Sequence, residues 1–112
     1  MEKNVKNGIP QLTVKELKQR IDLGQDVQLI DVREPWEFQI AQIGGKLIPQ
    51  NDVANRLAEI DRDREVVVHC RSGARSQRIA ELLKQAGYPR VVNVAGGILA
   101  WSDEIDPTVQ KY

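Results

Sequence analysis

The chain has very few cysteine and histidine residues, and this excludes several classes of site. Its 112 residues include one cysteine, Cys70, and one histidine, His69. A single cysteine forms no intrachain disulfide and no dithiol motif, and the chain offers no convincing set of four zinc ligands. We therefore expect no metal and no other cofactor, and any reaction at Cys70 has to be performed by this thiol alone.

Net charge and long apolar runs are also absent. Sixteen basic side chains balance sixteen acidic ones, and aromatic residues make up 4% of the chain. Proteins that bind nucleic acid need a positive field and usually stacking aromatic side chains, so we expect no direct nucleic-acid partner. No apolar run approaches the roughly 20 residues that span a bilayer. The N-terminus lacks the hydrophobic stretch of a secretory signal. We therefore expect a cytoplasmic protein with no membrane partner.

The composition and the periodicity of the sequence predict one folded domain. Residues 1–10 are polar and are interpreted as an arm or linker, and residues 11–112 as the domain. Within it, stretches typical of strands alternate with stretches typical of helices. We predict strands at 27–31, 46–48, 65–69 and 90–94, and helices at about 13–22, 34–38, 51–60, 76–85 and 98–104. The alternation predicts an α/β fold with a mostly parallel central sheet and helices on both faces.

The segment from Cys70 to Ser76 has the features of an anion-binding loop. It follows a strand with three consecutive valines and precedes a helix, and ligands of parallel sheets bind at the carboxyl ends of strands. Gly73 and small residues allow the loop to curl so that its N–H groups point inward. Residues 69–80 contain three arginines and no carboxylate. This pattern favours a stabilised Cys70 thiolate that performs nucleophilic catalysis on a small anionic or sulfur-bearing group.

A structural role is the alternative for both chemically notable residues of this segment. Free cysteine is often buried, although core cysteines rarely lie in arginine-flanked turns at a helix N-terminus. His69 is interpreted as a core or strand residue rather than a catalytic base, because the loop already stabilises a thiolate.

Three segments resemble motifs of rhodanese-like domains, in the same order along the chain. Residues 30–38 resemble the DVRE…E[FY] stretch of these domains, residues 67–76 resemble their active-site loop, and residues 96–101 resemble their Gly-Gly…Trp motif. The resemblance extends from about residue 12 to 103. It implies a rhodanese-like fold and membership of a sulfurtransferase family.

The resemblance also implies a role for each matched residue. Cys70 would take the sulfane sulfur of a small anionic donor such as thiosulfate, or of a protein persulfide, and carry it as a persulfide to a thiophilic acceptor. Arg71 would lie at the pocket mouth and favour anions, Arg75 would brace the loop, and Gly73 would permit its curl. The N–H groups that hold the persulfide would come from the loop residues Arg71, Ser72, Gly73, Ala74, Arg75 and Ser76. Because the chain has no second thiol, the sulfur has to leave to an external acceptor.

Two positions before the loop resemble supporting residues of the family. Asp31 and Arg33 would support the site from the neighbouring strand end, and a structural salt bridge explains them equally well. The chain departs from the family at residues 41–46, which read AQIGGK where many members have GHIPGA. The missing histidine is not the nucleophile, so we expect the chemistry to be retained.

Two other functions are compatible with a cysteine in such a loop. The first is a Cdc25-like or protein-tyrosine phosphatase, or an arsenate reductase. Phosphatases of this kind place five residues between the cysteine and the arginine, whereas four separate Cys70 from Arg75. The smaller ring of N–H groups suits a sulfane sulfur better than a tetrahedral oxyanion. The second is a non-catalytic rhodanese-like binding or regulatory module, although modules of this kind have lost the cysteine.

The end of the chain indicates a possible partner. Residues 101–112 resemble the tail of rhodanese domains fused behind MoeB/ThiF-type adenylyltransferases. This resemblance implies a sulfur-carrier protein as acceptor, in molybdopterin, thiamin or tRNA thiolation, and an adenylyltransferase domain as partner. Residues 1–10 would then be the interdomain linker.

Overall fold

Strands and helices alternate along the chain in the computed structural model, which describes residues 4–112. The strands are β1 (Val5–Lys6), β2 (Ile9–Leu12), β3 (Gln28–Asp31), β4 (Lys46–Leu47), β5 (Val66–His69) and β6 (Val91–Val94). The α-helices are α1 (Val14–Asp22), α2 (Pro35–Ile40), α3 (Ala74–Gln85) and α4 (Gly97–Glu104), and two 3-10 helices span Gln50–Asn55 and Leu57–Glu59.

The six strands form one sheet in the order β1-β2-β6-β5-β3-β4. Among these described strands, only the β1–β2 pair is antiparallel, and all the other neighbours run parallel. The predicted α/β fold with a mostly parallel sheet is therefore confirmed. Because β3, β5 and β6 are parallel neighbours, the residues that follow them meet at one edge of the sheet.

Alternation along β5 creates two core layers. Successive side chains of a strand point to opposite faces of a sheet. Val66 and Val68 pack with Ile79 and Leu83 of α3 in one layer. Val67 packs on the other face, in a layer that includes Leu17 of α1 and Trp101 of α4. The helices therefore cover both faces, as the sequence predicts.

Most helix positions follow from local signals. Thr13 caps α1, where the N–H of Glu16 donates to Thr13 Oγ1 (3.1 Å) and the N–H of Thr13 donates to Glu16 Oε1 (2.9 Å). Pro35 occupies the first turn of α2, where its missing N–H costs no hydrogen bond. In the described part of the chain, no helix is long and apolar enough to cross a membrane.

The predicted helix at 51–60 is wrong as an α-helix. The N–H of Arg56 donates to the carbonyl of Val53 (3.0 Å) and that of Ile60 to the carbonyl of Leu57 (3.0 Å), which is the three-residue spacing of 3-10 helices. Asparagine and aspartate near its start compete for backbone hydrogen bonds and favour turns. Val53 and Ile60 are nevertheless buried in the core.

The segment interpreted as a polar arm contributes to the sheet. Val5 and Lys6 pair with β2, and β2 pairs with β6 through Gln11 and Leu12. The side chain of Ile9 is fully buried in the core, so burial of this residue favours a strand over a free arm. Residues 1–3 of that interpretation lie outside the described residues.

Candidate active site

Cys70 follows the last residue of β5 at the carboxyl edge of the sheet and is 1% exposed. Its Sγ accepts hydrogen bonds from the main-chain N–H groups of Gly73 (3.1 Å) and Ser76 (3.4 Å). The hydroxyl Oγ of Ser76 lies 3.3 Å from the same sulfur. Backbone donors converging on sulfur favour a negative charge there, and the nearby N-terminus of α3 adds the positive end of its dipole.

Gly73 allows the turn that brings these donors together. It caps α3 with a φ of 106°, in the left-handed region that side chains rarely adopt. A Cβ at this position would lie 3.3 Å from the main-chain nitrogen of Gly96. The curl predicted for Gly73 is therefore present in the backbone, and it packs against the segment that leads into α4.

The beginning of α4 holds the outer side of the loop. The N–H groups of Ile98 and Leu99 donate to the carbonyls of Cys70 (3.0 Å) and Arg71 (3.1 Å). Gly97 lies so close that a Cβ there would be 2.5 Å from both carbonyl oxygens. These bonds engage the loop carbonyls on the α4 side, while N–H groups of the loop face the sulfur.

Arg75 forms a two-bond ion pair with Glu37 of α2. Its Nη1 donates to Glu37 Oε1 (2.7 Å) and its Nη2 to Glu37 Oε2 (2.8 Å). Hydrogen bonds from Arg75 are the main cause that lowers the pKa of Glu37 to about 2. The pair links α3 to α2, which is the geometry expected of a residue that braces the loop.

Asp31 and Arg33 form a fully buried ion pair behind the site. Arg33 donates from Nε to Asp31 Oδ1 (3.0 Å) and from Nη2 to Asp31 Oδ2 (2.7 Å). Arg33 also donates to the carbonyls of Glu37 (3.4 Å) and Ala41 (2.7 Å), which bracket the end of α2. The geometry is that of a buried salt bridge that positions α2, and with it the partner of Arg75.

Arg71 lies against Tyr112. Its Nε donates to the main-chain oxygen of Tyr112 at 2.8 Å, and its Nη2 donates to the same atom. The guanidinium lies 5.2 Å from the centre of the Tyr112 ring, within the range of a cation–π contact. The Tyr112 hydroxyl donates to Glu37 Oε2 (2.7 Å) and accepts from Arg33 (2.9 Å). One tyrosine therefore touches three charged residues around the loop.

His69 is a fully buried strand residue, as predicted. Neither ring nitrogen has a hydrogen-bond partner among residues 4–112, and Nε2 lies 3.6 Å from Asp31 Oδ2, beyond hydrogen-bond distance. Burial lowers the pKa of His69 and outweighs the opposite effect of the Asp31 charge. The imidazole is therefore neutral at physiological pH.

Behind Ser76 lies a buried polar network. Ser76 Oγ is 2.5 Å from Asn93 Oδ1, and Asn93 Nδ2 donates to Gln11 Oε1 (3.0 Å) and to the carbonyl of Gly73 (3.1 Å). Gln77 accepts from the Gln11 amide at 2.8 Å. This network connects the sulfur to β6 and to the hairpin of β1 and β2.

The structure brings together most, but not all, of the predicted site residues. Gly73 and Ser76 contact the sulfur and Arg75 is held by Glu37, whereas Ser72 on the loop and Ala74 at the start of α3 are exposed. In the described range 4–112, no cluster of three or more potential ligands could hold a metal ion.

Glu37, Asn93 and Tyr112 are absent from the predicted site. Glu37 is the glutamate of the first motif and could have been found there. Asn93 is a lone polar residue between valines of a buried strand, which is the usual sign of a specific buried hydrogen bond. Nothing in the sequence pattern places Tyr112 beside Arg71.

The profile of the family described as "Rhodanese-like domain" matches residues 13–104. A protein from Allochromatium vinosum named "Sulfurtransferase" is 41% identical over 95 residues, which cover 84% of this chain and 89% of that protein. The probable adenylyltransferase/sulfurtransferase MoeZ of Mycobacterium tuberculosis is 36% identical over 104 residues; these cover 90% of this chain and 26% of that protein.

The fold is also similar to solved structures. The crystal structure of a rhodanese-like domain protein from Staphylococcus aureus matches with a TM-score of 0.79 and 33% identity. The match covers 85% of this chain and 93% of that protein. The similarity therefore extends over nearly the whole domain of both molecules.

Proposed function

Since the chain belongs to the rhodanese-like family and its relatives include sulfurtransferases, we propose that it carries sulfane sulfur as a persulfide on Cys70. A donor supplies the sulfur, and a thiophilic acceptor removes it. The observation that carries this proposal is the convergence of Gly73 N–H and Ser76 N–H on the buried Sγ. These donors stabilise charge on the sulfur where water is excluded.

The first half of the reaction is a displacement at sulfur. With thiosulfate, a lone pair of the Cys70 thiolate forms a bond to the outer sulfur, and the sulfur–sulfur bond of the donor breaks. The bonding electrons leave with sulfite, and the negative charge of the new persulfide rests on its terminal sulfur. This step needs no proton transfer, which is consistent with the neutral, enclosed His69.

Arg71 and Arg75 have different roles in this proposal. Arg75 already has two hydrogen bonds to Glu37 and acts by bracing α3. Arg71 is held only against the main chain and ring of Tyr112 in the contacts described. An anionic donor that displaces the main-chain oxygen of Tyr112 would gain the guanidinium of Arg71, so we assign Arg71 to donor binding.

Intact-mass spectrometry after thiosulfate treatment tests the proposal. We expect a gain of one sulfur atom (about 32 Da) in the wild type, its loss on cyanide treatment, and no gain in Cys70→Ser. Arg71→Ala should need more thiosulfate for the same yield. The exposed Arg78 is a matched control of equal charge in the same segment, and Arg78→Ala should behave as the wild type.

The results separate the proposed activity from the alternatives. A wild-type protein that forms no adduct with thiosulfate or with a protein persulfide would be a non-catalytic binding module. Hydrolysis of a phosphotyrosine mimic that is abolished by Cys70→Ser would instead indicate a phosphatase.

We propose further that the acceptor is a small sulfur-carrier protein activated as an acyl-adenylate. This is supported by the mycobacterial relative named as an adenylyltransferase/sulfurtransferase, of which this chain spans about a quarter. The terminal persulfide sulfur would attack the acyl carbon and displace AMP. Because Cys70 is the only cysteine of the chain, an external thiol then has to attack Sγ, which releases the carrier thiocarboxylate and leaves Cys70 in a mixed disulfide with that thiol. A second thiol reduces this disulfide and returns Cys70 to the thiolate.

The acceptor is tested by mixing the persulfidated protein with an adenylated carrier protein and a small thiol. The expected product is carrier thiocarboxylate, detected by mass, and it should not form when Cys70→Ser replaces the wild type. If the persulfide is consumed by cyanide but never by the adenylated carrier, the acceptor assignment is wrong and the sulfurtransferase assignment remains.

A further inference from the structure

The Ser76 hydroxyl lies between two acceptors and has one proton to give. Its Oγ is 2.5 Å from Asn93 Oδ1 and 3.3 Å from Cys70 Sγ. A hydroxyl donates a single hydrogen bond. When Cys70 is a thiolate, the sulfur and the amide oxygen therefore compete for the same proton.

The orientation of the Asn93 amide follows from its other contacts. Asn93 Nδ2 lies 3.1 Å from the main-chain carbonyl of Gly73, which only accepts hydrogen bonds. Its remaining neighbours are the side-chain oxygens of Gln11 (3.0 Å) and Gln77 (3.3 Å). The NH₂ group has to face these three acceptors, so the Oδ1 atom faces Ser76.

The two glutamines are oriented in the same way by the β1–β2 hairpin. Gln11 Nε2 donates to the main-chain carbonyl of Ile9 (2.9 Å), which turns its Oε1 toward Asn93. Gln77 Nε2 donates to the carbonyl of Lys6 (2.9 Å). Backbone carbonyls thus set the direction of every amide in the chain of hydrogen bonds that ends at Ser76.

We propose that Asn93 is a positioning residue that holds the Ser76 hydroxyl while the Cys70 sulfur is uncharged and releases it when the sulfur becomes an anion. The hydroxyl then turns from Oδ1 to Sγ and adds a third donor to the two N–H groups. Asn93 contacts neither donor nor acceptor in this role and acts only through Ser76. The inference rests on the proposed function in one respect, that Cys70 is a nucleophile.

The switch follows the charge through the reaction cycle. When the thiolate attacks the sulfane sulfur, its lone pair enters the new bond, Sγ becomes uncharged, and the hydroxyl returns to Asn93. When a nucleophile such as cyanide attacks the terminal sulfur, or a second thiol reduces the mixed disulfide that remains after thiocarboxylate release, the bond to Sγ breaks, its electron pair returns to Sγ, and the hydroxyl turns back. The Ser76 proton stays on Oγ throughout, so the switch needs no general base.

The charged and titratable groups already present around the loop remain unchanged in every variant that tests this proposal, and Asn93→Asp alone adds a carboxylate. They are Arg71, Arg75, Glu37, His69, Asp31, Arg33 and Tyr112. Any change in reactivity at Cys70 therefore reports on Ser76 and Asn93. The readout is the rate of Cys70 alkylation by iodoacetamide as a function of pH, which measures the thiolate and requires no sulfur donor.

Two substitutions of Asn93 should change the reactivity in opposite directions. Asn93→Ala removes the competing acceptor, so the midpoint of the pH profile should move to lower pH. The rate below the midpoint should rise about fivefold, the order expected for the net contribution of one intramolecular hydrogen bond. Asn93→Asp keeps an acceptor and adds a negative charge near the sulfur, so its midpoint should move to higher pH.

Ser76→Ala completes a double-mutant cycle. It should slow alkylation more in the Asn93→Ala background than in the wild type, because only there does the hydroxyl donate to sulfur without competition. The proposal is overturned if both Asn93 variants shift the midpoint in the same direction, as a loosened loop would. Equal effects of Ser76→Ala in the two backgrounds would overturn it as well.

Urea unfolding identifies variants that do not fold. If Asn93→Ala is unfolded, Asn93→Leu, which also lacks an acceptor but fills the space, replaces it in the cycle. The alkylation result is independent of sulfur transfer. If the wild type is alkylated as expected but forms no persulfide, the proposed function is wrong. If the protein forms the persulfide but the effects of Ser76→Ala and Asn93→Ala on the alkylation rate are additive, only the role of Asn93 is wrong.

Discussion

Glu37 joins more parts of the site than any residue of the loop itself. Its carboxylate accepts two hydrogen bonds from Arg75, one from the Tyr112 hydroxyl and one from the main-chain N–H of Glu34. The residue is 3% exposed, so these contacts are protected from water. A buried carboxylate is tolerable only with such partners, and removal of its charge leaves the partners unsatisfied.

Replacement of this carboxylate by an amide is the test at the residue scale. Glu37→Gln keeps the shape but loses one of the two Arg75 bonds, and we expect the unfolding free energy to fall by about 2 kcal/mol, the usual value for hydrogen bonds to charged groups. The rate of persulfide formation should also fall, because Arg75 then braces α3 with one hydrogen bond instead of two. Urea unfolding and the mass assay measure the two effects.

Glu59 provides the matched control. Its carboxylate also accepts two hydrogen bonds from an arginine, Arg56, but on the protein surface. Exposed ion pairs contribute little to stability, so Glu59→Gln should leave both measurements nearly unchanged. If the two variants behave alike, the importance assigned to Glu37 is wrong.

At the scale of elements, the contact between α4 and the loop shapes the site. The first N–H groups of α4 donate to the carbonyls of Cys70 and Arg71. These donors have no partner within their own helix, and the loop carbonyls satisfy them. The Gly-Gly pair before Ile98 is needed because it lets two backbone segments approach closely.

Gly97→Ala should therefore abolish most of the activity. The new Cβ would lie 2.5 Å from the carbonyl oxygens of both Cys70 and Arg71, so the loop has to move and its N–H groups lose their alignment with Sγ. We expect persulfide formation to fall about a hundredfold, the scale seen when one positioned hydrogen-bond donor of an anion-stabilising site is lost. The rate of persulfide formation at saturating thiosulfate measures this loss.

Gly24→Ala is the control that separates the two effects of Gly97→Ala, the clash of the new Cβ and the strain of the left-handed backbone. Gly24 has a φ of 71°, similar to the 56° of Gly97, but a Cβ there meets nothing within 4 Å. Both variants should lose about 1–2 kcal/mol of stability from the left-handed conformation, and only Gly97→Ala should lose activity. If Gly97→Ala and Gly24→Ala are equally active, the role assigned to the contact between α4 and the loop is wrong.

At the scale of the whole molecule, two buried groups make stability depend on pH. Burial lowers the pKa of His69, and Arg75 lowers the pKa of Glu37 to about 2. In the unfolded chain both groups return to their ordinary pKa values and bind protons at higher pH than in the folded protein. Protons therefore favour the unfolded state in both cases.

We expect the unfolding free energy to fall in two stages on acidification. The first stage begins below the ordinary histidine pKa of 6.5, where only the unfolded chain protonates His69. The second begins near 4.5 and continues to about 2, as the contribution of the Glu37 carboxylate is lost. Urea unfolding across this pH range measures both stages.

Each stage has its own control variant. His69→Asn does not titrate and should flatten the first stage, whereas Glu37→Gln should reduce the second. Glu59, whose pKa is also lowered to about 2, titrates in the same range, but the surface position of its ion pair makes its share small. A profile that is unchanged by both His69→Asn and Glu37→Gln would contradict this account.

The sequence by itself determined the fold class and the position of Cys70. Strand and helix periodicities are local, so β5, α3 and the loop between them could be recognised from neighbouring residues. The 3-10 helices were missed because turn-forming and helix-forming residues have similar spacing there. Residues 1–10 were interpreted as an arm because β1 pairs only with β2, and β2 joins the rest of the sheet through β6, whose Asn93 lies more than 80 residues from Gln11.

Only the tertiary structure decided which side chains surround the sulfur. Arg75 meets Glu37 across 38 residues, Arg71 meets Tyr112 across 41, and Ser76 meets Asn93 across 17. Such contacts depend on the order of the strands in the sheet, and no local pattern records that order. The thiol and the donors that contact it belong to one local segment, but the groups that hold this segment in place come from β6, α2, α4 and Tyr112, which only folding brings to one edge of the sheet.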